Sequence, residues 1–140
     1  MRQFIIAIVP AVIVGGLYEL FLGHRHDYAG HYLAGYGATL AAASLWFRIL
    51  PPQRYAKSSL NSILPGCVIC ILLGVLTEAT IFRIAKFDEI DFCNQSLGAV
   101  FASVAASTLS GCGKPSEAEI DIGLIIGIAF VGVGGCFAFA

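Results

Sequence analysis

Ile120-Asp-Ile-Gly-Leu-Ile-Ile-Gly-Ile-Ala-Phe-Val-Gly-Val-Gly-Gly-Cys-Phe-Ala-Phe-Ala140 is a run of twenty-one residues whose only charged side chain is Asp121. A helix that crosses a bilayer needs about 20 mostly apolar residues to span roughly 30 Å of hydrocarbon. The run is continuous rather than alternating, which reads as helix and not as a half-buried strand. Working outward, residues 4–22, 29–50, 63–82 and 95–112 meet the same test. In lipid the backbone must satisfy its own hydrogen bonds within each segment, and a helix does so. The sequence therefore predicts an all-α fold. It is a polytopic membrane helix bundle of about five transmembrane helices with short loops, forming one domain over residues 1–140.

Composition agrees. Hydrophobic residues make up 58% and charged residues 12%, with a mean hydropathy of +0.85. A soluble domain carries about 25% charged residues. Eight Lys+Arg against nine Asp+Glu leave a net charge of −1, so there is no basic footprint and no nucleic-acid partner is expected. The first stretch follows Arg2 like a signal peptide, but no A-x-A-like triplet follows its apolar core, so it is read as a retained helix.

Basic residues near span ends set the orientation. Arg2, Arg48, Arg54, Lys57 and Lys114 share one side, and Arg25, Arg83 and Lys86 the other. That bias predicts a cytoplasmic N-terminus and an external C-terminus. Cys67-Val-Ile-Cys70 sits inside an apolar span without a second pair, which reads as buried small hydrophobes.

Helices associate in lipid through small residues that let backbones approach. Rows at four-residue spacing run through every span: Ala7-Ala11-Gly15, Gly30-Ala34-Ala38-Ala42, Gly66-Cys70-Gly74, Gly98-Ala102-Ala106-Ser110 and Gly123-Gly127. Extending the first row by four reaches Glu19, and extending the third reaches Glu78. Both are thus expected to face the bundle interior, where an ionisable side chain is a functional candidate by default.

The polar chemistry collects on the external side. Gly23-His-Arg-His-Asp-Tyr-Ala-Gly-His31 joins the first two spans, and residues 83–95 join the third and fourth. With Glu19 and Glu78, this side holds all three histidines and six of the nine acids. Asp27 and His31 share a helix face, as do Asp88, Asp91 and Gln95. On the opposite side, Ser116 is placed to cap the fifth helix ahead of Glu117 and Glu119.

These residues resemble a family. Asp27-Tyr-Ala-Gly-His31 looks like the D-x-x-x-H opening of the second helix in VanZ-like membrane proteins. Glu78, followed by Asp88-x-x-Asp91 and Gln95-Ser-Leu-Gly98, resembles their second signature. The likeness covers roughly residues 15–110. Gln95 stands where Asn is usual, Ile81 where Gln is common, and Arg83 or Lys86 matches the loop arginine. A related group of small inner-membrane proteins shares the D-x-x-x-H element. The resemblance implies a bacterial inner-membrane protein associated with resistance to lipoglycopeptide antibiotics.

Three functions follow as expectations. The first is an external polar pocket of Glu19, Asp27, His31, Glu78, Arg83, Asp88, Asp91 and Gln95 that binds a lipid-linked cell-envelope component or a lipoglycopeptide-type ligand. The second is an accessory subunit docked to other membrane subunits through Gly123-x-x-x-Gly127 and the Gly132–Gly135 cluster. The third is a metal- or proton-dependent membrane enzyme or transporter. His24, His26, Asp27 and His31 would supply a divalent metal there, although no cofactor is expected and no known catalytic motif is present.

Overall fold

The computed structural model describes residues 2–49, 59–80, 88–110 and 116–138. Five helices account for nearly all of them: α1 (Arg2–Leu22), α2 (His26–Ile49), α3 (Ser59–Thr80), α4 (Glu89–Ser110) and α5 (Glu117–Ala138). No strand occurs among the described residues. Each helix covers one apolar stretch, but four of the five begin at least three residues earlier than that stretch. Hydropathy misses polar first turns. α4 starts at Glu89 rather than residue 95 because Asp88 caps it, accepting from the Ile90 amide at 2.8 Å. α5 starts with a reciprocal capping box. The Ser116 amide donates to Glu119 Oε2 at 2.8 Å, and the Glu119 amide donates to Ser116 Oγ at 3.3 Å.

α2 is the axis of the bundle. It packs against all four other helices, most extensively α5 and α4, and twelve of its twenty-four residues are buried. Small residues decide how closely. In α1, Ala7, Ala11 and Gly15 are buried, and in α4 so are Gly98, Ala102 and Ala106. The α2 row behaves differently. Gly30 is buried, but Ala34, Ala38 and Ala42 are half-buried. The tight seam instead follows a seven-residue spacing: Gly30 and Gly37 of α2 against Gly134 and Gly127 of α5. A Cβ on Gly30 would lie 2.5 Å from the Ala138 nitrogen, and one on Gly37 2.5 Å from the Gly127 carbonyl oxygen. The pairing shows that α2 and α5 run antiparallel. Gly66 has open space beside it, so the α3 row makes close contact only from Cys70 and Gly74 onward. Cys67 and Cys70 are buried and free, as read from the sequence.

The core holds few large aliphatics. Tyr32 and Tyr36 are fully buried, and their rings sit 6.2 Å apart. Their hydroxyls reach carbonyls on and before the in-helix Pro10: Tyr36 donates to Ala7 O at 2.5 Å and Tyr32 to Pro10 O at 3.4 Å. Both bonds run from α2 to the α1 backbone beside the proline and so tie the two helices together. Tyr36→Phe is therefore expected to lose about 1 kcal/mol, the net worth of one buried hydrogen bond, read as a lower thermal midpoint in detergent.

The exterior is the reverse. Among the described residues twenty-six large apolar side chains are exposed, including Leu20 at 75%, Phe21 at 73% and Ile125 at 66%. Among the described residues, α5 is the helix long and apolar enough to cross a membrane.

Candidate functional site at the polar end of the bundle

The site begins with two helix starts. α2 and α4 run parallel, with their N-termini at the same end, and glycines let them touch. A Cβ on Gly35 would collide with the Gln95 backbone, and one on Gly98 with the Tyr32 backbone. Gly35 and Gln95 lie one turn beyond His31 and Asp91 respectively. The same close approach therefore brings His31 Nε2 to 3.4 Å from Asp91 Oδ2, with the side chains only 13% and 15% exposed. Asp91 Oδ1 is buried with no hydrogen-bond partner. Burial pushes the Asp91 carboxyl above its ordinary range. The His31 charge pulls the other way, and Asp88 and Asp27 add to the rise.

Asp27 is engaged by its own loop. Arg25 Nε donates to Asp27 Oδ1 at 3.1 Å, and Nη2 to Oδ2 at 2.8 Å. The Arg25 guanidinium carbon also lies 3.9 Å from the Tyr28 ring centroid. Hydrogen bonding to Arg25 holds the Asp27 carboxyl below its usual 3.8, against some desolvation. A lowered carboxylate contributes stability that is present above the unfolded pKa and lost as pH falls through the folded one. The two side chains are 39% and 32% exposed, so solvent and salt screen the pair. Asp27→Asn is accordingly expected to shift the melting midpoint only slightly at neutral pH. Molar salt should erase the shift, as should acid below the normal carboxylate range.

Glu19 closes the α1 end. Its Oε2 lies 2.7 Å from His26 Nδ1, and Oε1 is buried without a partner. The His26 ring stacks on Phe137 of α5, 6.2 Å between centroids. Glu19 therefore faces the α1–α2 turn rather than the bundle interior. Tyr18 faces inward in its place, and its hydroxyl donates to Asn94 Oδ1 at 2.7 Å. Asn94 is 7% exposed, and its Nδ2 has no partner; neither has the buried Ser96 Oγ. Beside this bond an open groove of about 260 Å³ runs along one face of α1, lined by Val14, Leu17, Tyr18 and Leu22.

The sequence-predicted residues thus divide. His31 and Asp91 meet, with Asp27 and Asp88 close enough to act on Asp91 electrostatically. Asp88 commits an oxygen to the α4 cap. Gln95 turns to α3, where its side chain lies against Gly74. Glu78 belongs to α3, but its side chain lies outside the described residues, as does Arg83 altogether. The proposed metal set is dispersed: His24 is exposed, His26 faces Glu19, Asp27 faces Arg25 and His31 faces Asp91. Among the described residues no three His, Cys, Asp or Glu side chains are grouped to hold a metal ion. Tyr18, Asn94 and Ser96 were missed. Asn94 is three residues past Asp91 and so on its face, a spacing that could have found it.

Comparison with protein-family models, curated proteins and solved structures returns no match to this chain. The site has to be read from its own chemistry. Four buried polar atoms without partners gather at this one end: Glu19 Oε1, Asp91 Oδ1, Asn94 Nδ2 and Ser96 Oγ. Native proteins pair such atoms in the great majority of cases. Two of the four are carboxylate oxygens, which when ionised can accept hydrogen bonds but not donate them. The end also holds Glu19, Asp27, Asp88, Glu89 and Asp91 against Arg25 as the single arginine or lysine among the described residues there. It is suited to a ligand that donates hydrogen bonds and carries positive charge.

Proposed function

We propose that the chain is a VanZ-like polytopic integral membrane protein whose polar end binds a donor-bearing cell-envelope head group at the external membrane surface. The observation that carries the binding is the set of four unpartnered buried polar atoms at that end, one on Asp91 itself and one on Asn94 a turn away. Leaving a polar group buried and unpaired costs about 1–3 kcal/mol, and a bound head group would recover that. The membrane setting is supported by the inside-out distribution of side chains. Leu, Ile and Val dominate the exposed surface, while Tyr32, Tyr36, Thr39, Ser44 and Asn94 are buried. In water that arrangement would expose far more apolar surface than a monomer normally does. In lipid it is the expected one.

Two experiments test this. A lipoglycopeptide should bind the nanodisc-reconstituted protein, and Asp91→Asn or Asn94→Ala should weaken it at least tenfold. Arg48→Gln at the opposite end, where Arg48 pairs with Asp121 at 2.9 Å, should change nothing. Equal affinity in all of these variants would end the head-group reading. For topology, Cys93 and Cys136 are exposed at the polar end. A membrane-impermeant maleimide added to intact cells should label both, and labelling only after lysis would reverse the orientation.

The subunit reading keeps one observation. Gly132 and Gly135 have open space beside them on the outer face of α5. A lone monomer after native purification in mild detergent would remove that support.

A further inference from the structure

We propose that Cys67 and Cys70 of α3, together with the Thr39 hydroxyl of α2, form a site for a soft monovalent metal ion, copper(I). The site is separate from the polar end, since Thr39 lies about two turns beyond His31 along α2. Residues three apart share a helix face, with Cβ atoms about 5–6 Å apart. Both thiols are free, at 6% and 8% exposure, and close enough to act on each other electrostatically. A metal–thiolate bond is about 2.3 Å long, so two in line bridge about 4.6 Å, which cysteines so placed can span.

Thr39 sets this pair apart from two small hydrophobes. Its side chain is 1% exposed and faces Cys70, and its Oγ1 has no hydrogen-bond partner. Other helical hydroxyls of the bundle donate back to the carbonyl four residues earlier: Ser44 to Leu40, Thr80 to Leu76 and Ser103 to Ala99. Thr39 does not, which leaves its O–H to donate toward the sulfur. A neutral thiol is a weak acceptor, whereas an ionised group is a strong one. The hydroxyl therefore gains a firm partner when Cys70 is a thiolate, the form that binds a metal ion.

The ligand count selects the ion. Zinc takes four ligands in a structural site and three with a water in a catalytic one. Among the described residues no three His, Cys, Asp or Glu side chains are grouped. Copper(I) is satisfied by two sulfurs in line, and soft sulfur ligands select it. Charge agrees. With Cys70 as thiolate, its proton released to water, and Cys67 as thiol, a monovalent ion completes a neutral unit, and a neutral unit avoids the cost of a buried charge. Gly66 precedes Cys67 and has open space beside it, so no side chain closes the approach at that position.

The test uses the full chain, purified reduced and without oxygen, with Cys93, Cys112 and Cys136 changed to serine so that Cys67 and Cys70 are the cysteines left. Copper(I) is titrated against bicinchoninate as competing chelator, and the loaded protein is read by X-ray absorption. The expected result is one ion per chain with two sulfur neighbours. Cys67→Ala and Cys70→Ala should each lower affinity at least a hundredfold. Thr39→Val, of nearly the same shape, should lower it about tenfold, the loss of one hydrogen bond to a charged group, with an unchanged circular dichroism spectrum. No copper uptake, uptake that persists when both cysteines are alanine, or three or more sulfur neighbours overturns the site. Equal affinity in Thr39→Val overturns the part given to the hydroxyl. If an alanine variant fails to fold, the stoichiometry and sulfur count of the parent chain decide alone.

Discussion

Gly134→Leu should leave no folded protein in a detergent extract. The seam between α2 and α5 has no space for a side chain at this position. Even a Cβ on Gly134 would sit 2.6 Å from both the Ala34 nitrogen and the Gly30 carbonyl oxygen. Those are backbone atoms, which cannot rotate aside as a side chain does. The two helices would have to separate, and every other contact along the most extensive interface of the bundle would loosen with them. Overpacking a well-filled interior costs about 1–3 kcal/mol for small insertions, so alanine at 134 already removes much of a marginal stability of about 5–15 kcal/mol. Leucine adds three more carbons against the same backbone. The internal control is close by. A methyl group added at Gly132 or Gly135 would meet nothing within 4 Å, so alanine there should be neutral or gain up to about 1 kcal/mol of helix propensity. Size-exclusion profiles and thermal midpoints of the three variants check the contrast. Similar behaviour of Gly134→Ala and Gly132→Ala would refute this packing.

That seam also marks where the sequence stops being legible. Five helices follow from the continuity of five apolar stretches, because a run of about 20 such residues has little other choice. Their starts do not follow, since caps such as Asp88 and polar first turns carry no hydropathy signal. Four-residue rows located the buried faces of α1 and α4 but not the α2–α5 seam. There, the glycines at 30, 37, 127 and 134 are spaced by seven. Seven residues advance two turns with little drift, so such a row stays on a nearly straight line along the helix. That line lets two antiparallel helices stay close over several turns. For the candidate site, spacing placed Asp27 with His31 and Asp88 with Asp91, but not which partner each would take. Arg25 is two residues from Asp27 and captures it locally. The His31–Asp91 encounter depends on α2 and α4 being parallel, a fact of tertiary packing. Glu19 was assigned inward from its row. A helix turns about 100° per residue, and that single step separates it from Tyr18, which makes the interior bond.

His31 and Asp91 should respond oppositely to mutation, although they are partners. Their separation of 3.4 Å and low exposure mark a largely desolvated pair. His31→Ala strands the Asp91 carboxylate among Asp88 and Asp27, whose charges already act against it. Removing one member of a buried pair costs on the order of 3 kcal/mol, so His31→Ala should melt well below the native chain. Asp91→Asn should not. The Asp91 carboxyl is raised above its ordinary value, with desolvation the largest cause. A raised carboxyl means that the folded chain holds the proton more tightly than the unfolded chain does. Stability then falls as pH rises from the unfolded pKa through the folded one, and it stays lower above both. A neutral amide of the same shape escapes that loss, so Asp91→Asn should be more stable than the native chain at neutral pH. The gain should vanish on acidification, once the native carboxyl is protonated too. Melting curves across pH for both variants give the answer. A destabilised Asp91→Asn would mean that the carboxylate helps to hold the bundle together. A stabilised one that no longer binds a head group would mean that the bundle tolerates an ill-placed charge because the ligand needs it.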